Sequence, residues 1–219
     1  MITVTRPAER ESVDRGETPV PRLSHTRLMV VDDHPAVRLG MVGLLEGQHD
    51  FSVEVVCIDA EGAVAQAEQV GIDVAIIDYH LGGHNGLWVC RRLKQLAAPP
   101  RVIIYSAFAN DHLATCCVLA QADGLLNKGG LGSELCDAVR SVTHGRRVLP
   151  RVAQPIADMQ RRRLDDTEQP IFGMLMAGIT RPEIARTLGM SARELSSREG
   201  TMLRKLEVLP GETTLSGSR

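Results

Sequence analysis

The sequence predicts an α/β protein in which a five-stranded, doubly wound parallel sheet is followed by a second, smaller all-α helix-turn-helix domain. The sheet follows from two observations: short apolar runs recur along the first two thirds of the chain, and segments of helical periodicity separate them. Continuously apolar strands that alternate with helices form parallel sheets covered on both faces. A third observation, three capped helical segments near the C-terminus, predicts the smaller domain.

The elements of the sheet domain can be placed in order along the chain. Five runs have the character of buried strands, at 27–33, 52–59, 74–78, 101–107 and 124–128. Helices are predicted between and after them, at 36–47, 60–70, 86–97, 110–121 and 132–144. We expect this domain to span residues 25–145. Residues 1–24 contain three prolines and no periodic apolar pattern, so they are expected to form a disordered leader.

A basic connector follows the sheet domain. Residues 25–145 carry 8 basic and 14 acidic side chains, a net charge of −6, whereas residues 146–163 carry 6 basic and 1 acidic, a net charge of +5. This contrast suggests two modules with different partners. We interpret 146–163 as a linker whose charge either contacts nucleic acid or keeps the segment solvated, and the second reading is slightly favoured.

Residues 164–207 contain the signals of three short helices. Gly178 and Gly189 are expected to end the first two, and the "GMS" turn before the third suits a helix-turn-helix. The tail at 208–219 is rich in Gly, Pro, Ser and Thr, and is expected to be flexible. The helices begin at three capping signals, which are Asp165 with Glu168, Thr180 with Pro182, and Ser191 with Glu194.

Composition excludes several classes of protein. No run approaches the roughly 18 uninterrupted apolar residues of a membrane span, and no signal peptide is visible, so we expect a cytoplasmic protein without a membrane partner. The five cysteines form no Cys-x-x-Cys pair, which argues against a disulfide framework and against a zinc site. We expect buried, reduced thiols at Cys57, Cys90, Cys116, Cys117 and Cys136.

Polar side chains follow four of the five predicted strands at the point where each strand ends. The carboxyl ends of parallel strands meet at one edge of the sheet, where such folds bind their ligands. Carboxylates brought this close repel one another unless a cation lies among them, and Mg²⁺ suits an oxygen site. An ammonium beside them could bind an anion. The residues concerned are Asp32 and Asp33 after the first strand, Asp78 after the third, Ser106 after the fourth and Lys128 after the fifth.

Each of these residues has an ordinary structural interpretation as well. A single aspartate at a strand end is usually a helix cap, and a single lysine there is usually a solvated charge. Five such residues in this order, each at a strand end, make the ordinary interpretation improbable for the set.

The motifs "VVDDHPAVRLG", "VAIIDYHLGGHNGL", "VIIYSA" and "ADGLLNK" resemble the receiver domain of bacterial two-component response regulators, a flavodoxin-like fold, over about residues 27–145. The resemblance implies that Asp78 accepts a phosphoryl group from a sensor histidine kinase. Phosphoryl transfer to a carboxylate requires positioning and charge neutralisation, which a metal ion and a lysine supply together.

The resemblance also assigns roles to the neighbours of Asp78. Asp33 would bind Mg²⁺ directly and Asp32 through water, while Asp78 and the main-chain carbonyl of His80 would complete the ligand set. The phosphoryl oxygens would contact Ser106 and Lys128. One position departs from the family. Leu125 lies three residues before Lys128, where the family usually carries an aromatic residue. In the family, that aromatic side chain couples movement of the serine, here Ser106, to the outer face of the domain.

Residues 164–207 resemble the LuxR-type DNA-binding domain of NarL/FixJ-family regulators, with "AGITRPEIARTLGMSARELSSREGTMLRKL" as the matching core. The resemblance implies that the third helix reads the major groove. The basic side chains that would contact DNA are Arg193, Arg198, Arg204 and Lys205. Each of them could equally be a surface charge or form an ion pair with Glu194 or Glu199.

Three positions of that helix depart from the family. Ser196 stands where a lysine is common, Glu199 would oppose DNA phosphate, and Gly200 costs about 1 kcal/mol relative to alanine in a helix interior. Residues 208–219 are too short and too rich in Gly and Pro for the usual fourth helix, so a homodimer would have to form through the receiver.

The function predicted from the sequence is that of a response regulator, phosphorylated on Asp78 with Mg²⁺ and regulating transcription through its helix-turn-helix. It is not expected to be an enzyme. The alternative is a phospho-switched protein–protein interaction module whose helix-turn-helix no longer binds DNA. A third reading, an enzyme acting on a small phosphorylated substrate, is disfavoured because no substrate pocket or further general base is visible.

Overall fold

The computed structural model describes residues 25–207, and all structural statements below concern that part of the chain. The predicted leader at 1–24 and the predicted tail at 208–219 lie outside it. Among the described helices, none has both the length and the apolar character needed to cross a bilayer.

The five predicted strands are present and form one parallel sheet in the order β2-β1-β3-β4-β5. Residues flanking the predicted strands leave the ladder where the chain turns, so four of the five strands are one residue shorter than predicted. In the register, Val31 pairs with Ile77, Asp78 with Tyr105, and Ser106 with Asn127. The strand bounds are Thr26–Val31 (β1), Phe51–Cys57 (β2), Val74–Asp78 (β3), Arg101–Ser106 (β4) and Gly124–Asn127 (β5).

Five helices cover the two faces of this sheet. On one face the apolar stripes of α1 and α5 pack on β1 and β3, and on the other face α2, α3 and α4 do the same. The prediction for α3 was too long, because Pro99 and Pro100 exclude helix and the Lys94 ammonium binds the Pro100 carbonyl at 2.8 Å. The helix bounds are Pro35–Glu46 (α1), Ala60–Gln69 (α2), Gly86–Leu93 (α3), Asp111–Ala120 (α4) and Gly132–Thr143 (α5).

The cysteines are buried and free, as predicted. Burial raises the pKa of Cys90 to about 12 and that of Cys116 to about 12, so neither is a ready thiolate.

A buried carboxylate joins α3, β4 and β5 at the amino end of the sheet. Asp123 is 4% exposed and accepts hydrogen bonds from the Lys94 ammonium at 2.6 Å, the Arg101 guanidinium at 3.0 Å and the Val102 amide at 2.9 Å. Burial alone would raise the pKa of Asp123, but its cationic partners and hydrogen bonds lower it below the ordinary value of 3.8. The ionised carboxylate therefore stabilises the fold.

Replacing Asp123 with Asn should lower the free energy of unfolding at pH 7 by about 3 kcal/mol, because Lys94 would lose its buried counter-charge. Because the pKa of Asp123 is depressed in the folded protein, its charge adds stability above pH 3.8, and this stability is lost as the pH falls through the folded-state pKa. The difference in stability between the wild type and Asp123→Asn should therefore shrink in acid. Urea titrations across that range measure both effects. Asp137→Asn, at a carboxylate that is 76% exposed, is the matched control, and an equally small effect at Asp123 would contradict the argument.

Part of the connector predicted as a basic linker is helical. Helix α6 spans Gln154–Arg161 and begins with a proline in its first turn. Its Ala157 and Gln160 are buried, and the Gln160 side chain lies 2.7 Å from the His112 ring on α4. The buried face of α6 thus packs the connector against the sheet domain, although the connector carries a net positive charge.

Three helices form the C-terminal module, as predicted: Glu168–Met176 (α7), Arg181–Thr187 (α8) and Ala192–Glu207 (α9). The predicted caps are present, because the Asp165 and Glu168 side chains bond each other's backbone amides at 3.1 Å and a capping box opens α8. Gly178 and Gly189 end the first two helices with positive φ angles of 77° and 64°. The core of the module contains Phe172, Ile184, Leu195, Met202 and Leu206.

Candidate functional site

The predicted strand-end residues converge at the carboxyl edge of the sheet. Asp32 is fully buried after β1, and Asp78 is 2% exposed at the end of β3. The Lys128 ammonium donates to Asp32 Oδ2 and lies equally close to Asp78 Oδ2, at 2.7 Å in each case. Three separate strands therefore bring two carboxylates and one ammonium together.

The electrostatics of this group favour a charged lysine. Burial lowers the pKa of Lys128, but the hydrogen bonds and charges of Asp32 and Asp78 outweigh it, and the pKa is raised above 10.5. The ammonium is therefore retained at any physiological pH, beside the carboxylate that the sequence analysis predicts as nucleophile.

Asp33 and His34 complete an oxygen-rich cluster with Asp32 and Asp78. One ligand atom from each of the four lies within 4.8 Å of the others, a spacing compatible with a single bound cation. His34 was missed by the sequence analysis, although its position directly after the two aspartates could have suggested it. Its Nδ1 lies 2.7 Å from Asp33 Oδ1 and 4.0 Å from Asp78 Oδ2. Three carboxylates in this donor set suit a hard divalent cation.

Ser106 ends β4, the strand beside β3 in the sheet, and His80 follows β3 in the chain. Ser106 is fully buried at the end of β4, and its hydroxyl accepts a hydrogen bond from the Phe108 amide at 3.1 Å. The His80 amide donates to Asp78 Oδ1 at 3.3 Å, while its exposed ring lies edge-on to Phe108. The loop after β3 therefore holds the Asp78 carboxylate in place through its backbone.

A glycine allows that loop to fold back over β3. A Cβ at Gly86 would lie 2.2 Å from the Asp78 carbonyl oxygen, so no other residue fits without moving the strand end. The Gly86 amide donates to the Tyr79 carbonyl at 2.8 Å, and the Asn85 side chain caps the helix that follows. The sequence "HNG" thereby fixes the start of α3 against the acidic cluster.

Comparison with known proteins identifies this architecture. The family model described as the response regulator receiver domain matches residues 28–140, which is more than half of the chain. The chain belongs to the response regulator family. Its two-domain relatives place it among the NarL/FixJ-type response regulators.

Several relatives match more than four fifths of this response regulator. It is 28% identical over 190 residues to the DNA-binding transcriptional activator DevR/DosR of Mycobacterium tuberculosis, covering 82% of this chain and 88% of the relative. A crystal structure of a LuxR-family two-component response regulator from Aurantimonas sp. SI85-9A1 is 30% identical with a TM-score of 0.57, covering 63% of this chain and 99% of that one.

The fold extends to both domains. The structure of RcsB from Salmonella enterica serovar Typhimurium bound to a promoter in the presence of phosphomimetic BeF3- has a TM-score of 0.58 and 20% identity, covering 85% of this chain and 94% of that one. At this level of identity the likeness concerns the fold alone.

The basic residues predicted to contact DNA lie in different surroundings on α9 of the response regulator. Arg193 and Arg204 are exposed. Arg198 binds the Thr167 hydroxyl at 2.9 Å and pairs with Glu194 at 3.4 Å. Lys205 pairs with Glu168 at 2.7 Å and with Asp165 at 2.9 Å. Part of the positive charge of α9 is thus neutralised within its own domain.

Two further expectations concern single residues. Glu199, expected to face DNA phosphate or form a surface pair, is instead fully buried against Arg181. The sequence contained a signal for this, because position 199 follows Leu195 by four residues and precedes Met202 by three, which is the spacing of the core face. Leu125 is 4% exposed in β5 and packs in the sheet core.

Proposed function

We propose that this response regulator accepts a phosphoryl group on Asp78 from a sensor histidine kinase and regulates transcription through its C-terminal helix-turn-helix. The observation that supports the first part most directly is the Lys128 ammonium held 2.7 Å from both Asp78 and Asp32 at the edge of the sheet. This arrangement places a carboxylate nucleophile beside a fixed positive charge, which is the requirement of phosphoryl transfer.

In the proposed reaction, an Asp78 carboxylate oxygen attacks the phosphorus of a phosphohistidine on the kinase. A new P–O bond forms as the P–N bond breaks, and the imidazole leaves with its electron pair. Lys128 would neutralise one phosphoryl oxygen, and the Ser106 hydroxyl would donate to another. The resemblance to receiver domains implies these roles, and the position of each side chain at a strand end supports them.

A divalent ion fits the donor set of this site. We assign Mg²⁺ to Asp33 and Asp78 directly, to Asp32 through water, and to the main-chain carbonyl of His80. When bound, the ion would neutralise the charge of the phosphoryl oxygens. Without it, three carboxylates would repel an incoming anionic phosphoryl group.

For the domain organisation we propose a receiver at 25–145 and a helix-turn-helix domain at 164–207, with the connector between them. Helix α6 lies in that connector and packs on the receiver, so the linker is a structured spacer for part of its length. DNA is the proposed partner of the second domain, through Arg193, Arg198, Arg204 and Lys205. If the chain forms a homodimer, we place its contact on the receiver.

One observation favours a second candidate function, the phospho-switched protein interaction module. Two of the four side chains proposed to contact DNA, Arg198 and Lys205, already form hydrogen bonds or ion pairs within the protein. A helix-turn-helix with this few available cations would bind DNA weakly.

Selection of genomic fragments by the purified protein tests the two candidates. The experiment is run in Mg²⁺ with and without beryllium fluoride, which mimics a phosphoryl group on Asp78. Enrichment of a defined sequence, stronger with the mimic and weakened steeply by salt, is the expected result. Binding of the mimic without any enriched sequence would overturn the DNA proposal and favour the interaction module.

A further inference from the structure

His34 lies at the acidic cluster but is not among the ligands assigned above to Mg²⁺. Its ring nitrogen Nδ1 lies 2.7 Å from Asp33 Oδ1, 3.6 Å from Asp32 Oδ1 and 4.0 Å from Asp78 Oδ2. Adjacent donors on an octahedral ion with bonds of about 2.1 Å lie roughly 3 Å apart, and opposite donors lie roughly 4 Å apart. The three distances therefore suit donors that share one ion.

The backbone of the turn after β1 directs this imidazole toward the cluster. His34 precedes Pro35, which disfavours helical torsion angles at the residue before it, and the φ and ψ angles of His34 are −86° and 113°. The His34 amide donates to Asp32 Oδ1 at 2.8 Å, and the Arg38 guanidinium donates to the Asp32 carbonyl at 2.8 Å. The hydrogen bonds of the turn thus fix the position from which the ring reaches the carboxylates.

The short contact between His34 Nδ1 and Asp33 Oδ1 requires a positive centre between the two atoms, because each carries a lone pair when it is deprotonated. A proton can fill that place, and the contact is then a hydrogen bond. A metal ion can fill it instead when the imidazole keeps its proton on Nε2. The His34 side chain is 65% exposed, so Nε2 can donate this proton to water. The same geometry therefore serves a hydrogen bond or a shared metal ion.

A nitrogen donor changes which ion such a site prefers. Carboxylate and carbonyl oxygens suit Mg²⁺, which gives up its water reluctantly, whereas imidazole suits transition ions such as Fe²⁺, Ni²⁺ and Zn²⁺. Affinity for a site of mixed donors also rises along the series from Mn²⁺ through Co²⁺ to Ni²⁺. Within residues 25–207, the cluster at His34 is the one group that joins a histidine to three carboxylates at ligand spacing.

We propose that His34 Nδ1 is a ligand of the divalent-ion site, together with Asp33 and Asp78, and that it makes the site select first-row transition ions over Mg²⁺. The proposal rests on the metal site of the proposed function and adds a nitrogen to its oxygen donors. A transition ion then competes with Mg²⁺ for the position beside the phosphoryl group on Asp78. The ion that is available would therefore influence how readily Asp78 is phosphorylated.

Mn²⁺ is the probe for the ligand itself, because its unpaired electrons couple to the nuclei of bound donors. Full-length protein with Mn²⁺ alone is measured by electron spin echo envelope modulation, in which a directly bound imidazole gives a ¹⁴N coupling. We expect this coupling in the wild type and its loss in His34→Asn. Asparagine is a favourable helix N-cap, so the variant should keep the start of α1. His84→Asn, at a ring 47% exposed and 3.6 Å from Glu61, is the matched control and should keep the coupling.

Calorimetric titrations of the same proteins with Co²⁺ and with Mg²⁺ measure the selectivity. With the variant folded by circular dichroism, His34→Asn should lower the affinity for Co²⁺ by at least about tenfold and leave the affinity for Mg²⁺ nearly unchanged. Bound Mn²⁺ without imidazole coupling in the wild type, or equal losses of affinity for both ions, would overturn the inference while the metal site stands. A wild type that binds neither Mn²⁺ nor Mg²⁺ would overturn the metal site of the proposed function and the role of His34 together.

Discussion

Replacing Asp78 with Asn is expected to reduce phosphoryl incorporation from acetyl phosphate by at least about a hundredfold, because an amide cannot act as the nucleophile. The substitution preserves the shape of the side chain, which is 2% exposed at the end of β3. Intact-protein mass spectrometry of the full chain in Mg²⁺ measures the phosphorylated fraction directly. Chelation of Mg²⁺ should lower incorporation in the wild-type protein as well.

Asp59→Asn is the matched control for this experiment. Asp59 follows β2 at the same edge of the sheet but caps α2, with its carboxylate bonded to the Gly62 amide at 2.7 Å. Asparagine caps helices as well as aspartate does, so the fold should be unaffected and incorporation unchanged. Comparable loss in both variants, or residual phosphorylation of Asp78→Asn near the wild-type level, would place the acceptor elsewhere.

The second large effect concerns the buried pair between Arg181 and Glu199. Glu199→Ala should lower the free energy of unfolding by about 3 kcal/mol, because it leaves the Arg181 guanidinium buried without its counter-charge. Burial raises the pKa of Glu199 and lowers that of Arg181, and in each residue it outweighs the attraction of the partner. The pair is therefore costly to bury, yet more costly to break.

A double-mutant cycle separates these two contributions. The corners are the wild type, the single variants Arg181→Leu and Glu199→Leu, and the double variant. The double variant should recover most of the stability lost in Glu199→Leu, since apolar side chains of similar volume remove the cost of burying both charges. Urea unfolding followed by circular dichroism measures each corner. The exposed pair of Arg198 and Glu194, 3.4 Å apart, is the control, and Glu194→Ala should change stability by less than about 1 kcal/mol. Additive effects at 181 and 199 would contradict the expected coupling.

Much of the receiver could be predicted from the sequence because its signals are local. Each strand is a continuous apolar run, and each site residue follows a strand directly, so parallel pairing brings Asp32, Asp78 and Lys128 to one edge. The capping signals of the C-terminal helices are local as well: α8 begins directly after Thr180, and α7 begins at Glu168, three residues after the predicted cap Asp165. What the sequence analysis missed at the site, His34, lies one residue from the predicted cluster.

The sequence by itself determined the fold of each domain and the acidic site, because hydrophobic periodicity and strand ends lie within a few residues of one another. Only the tertiary structure decided what surrounds α9. Its contacts join residues 105 apart in the case of Arg91 and Ser196, and 78 apart in the case of Gln121 and Glu199. No short-range pattern encodes such a pair, since its energy depends on how two domains pack. Glu199 would repel DNA phosphate if α9 were exposed, but in the folded chain it is buried as the partner of Arg181.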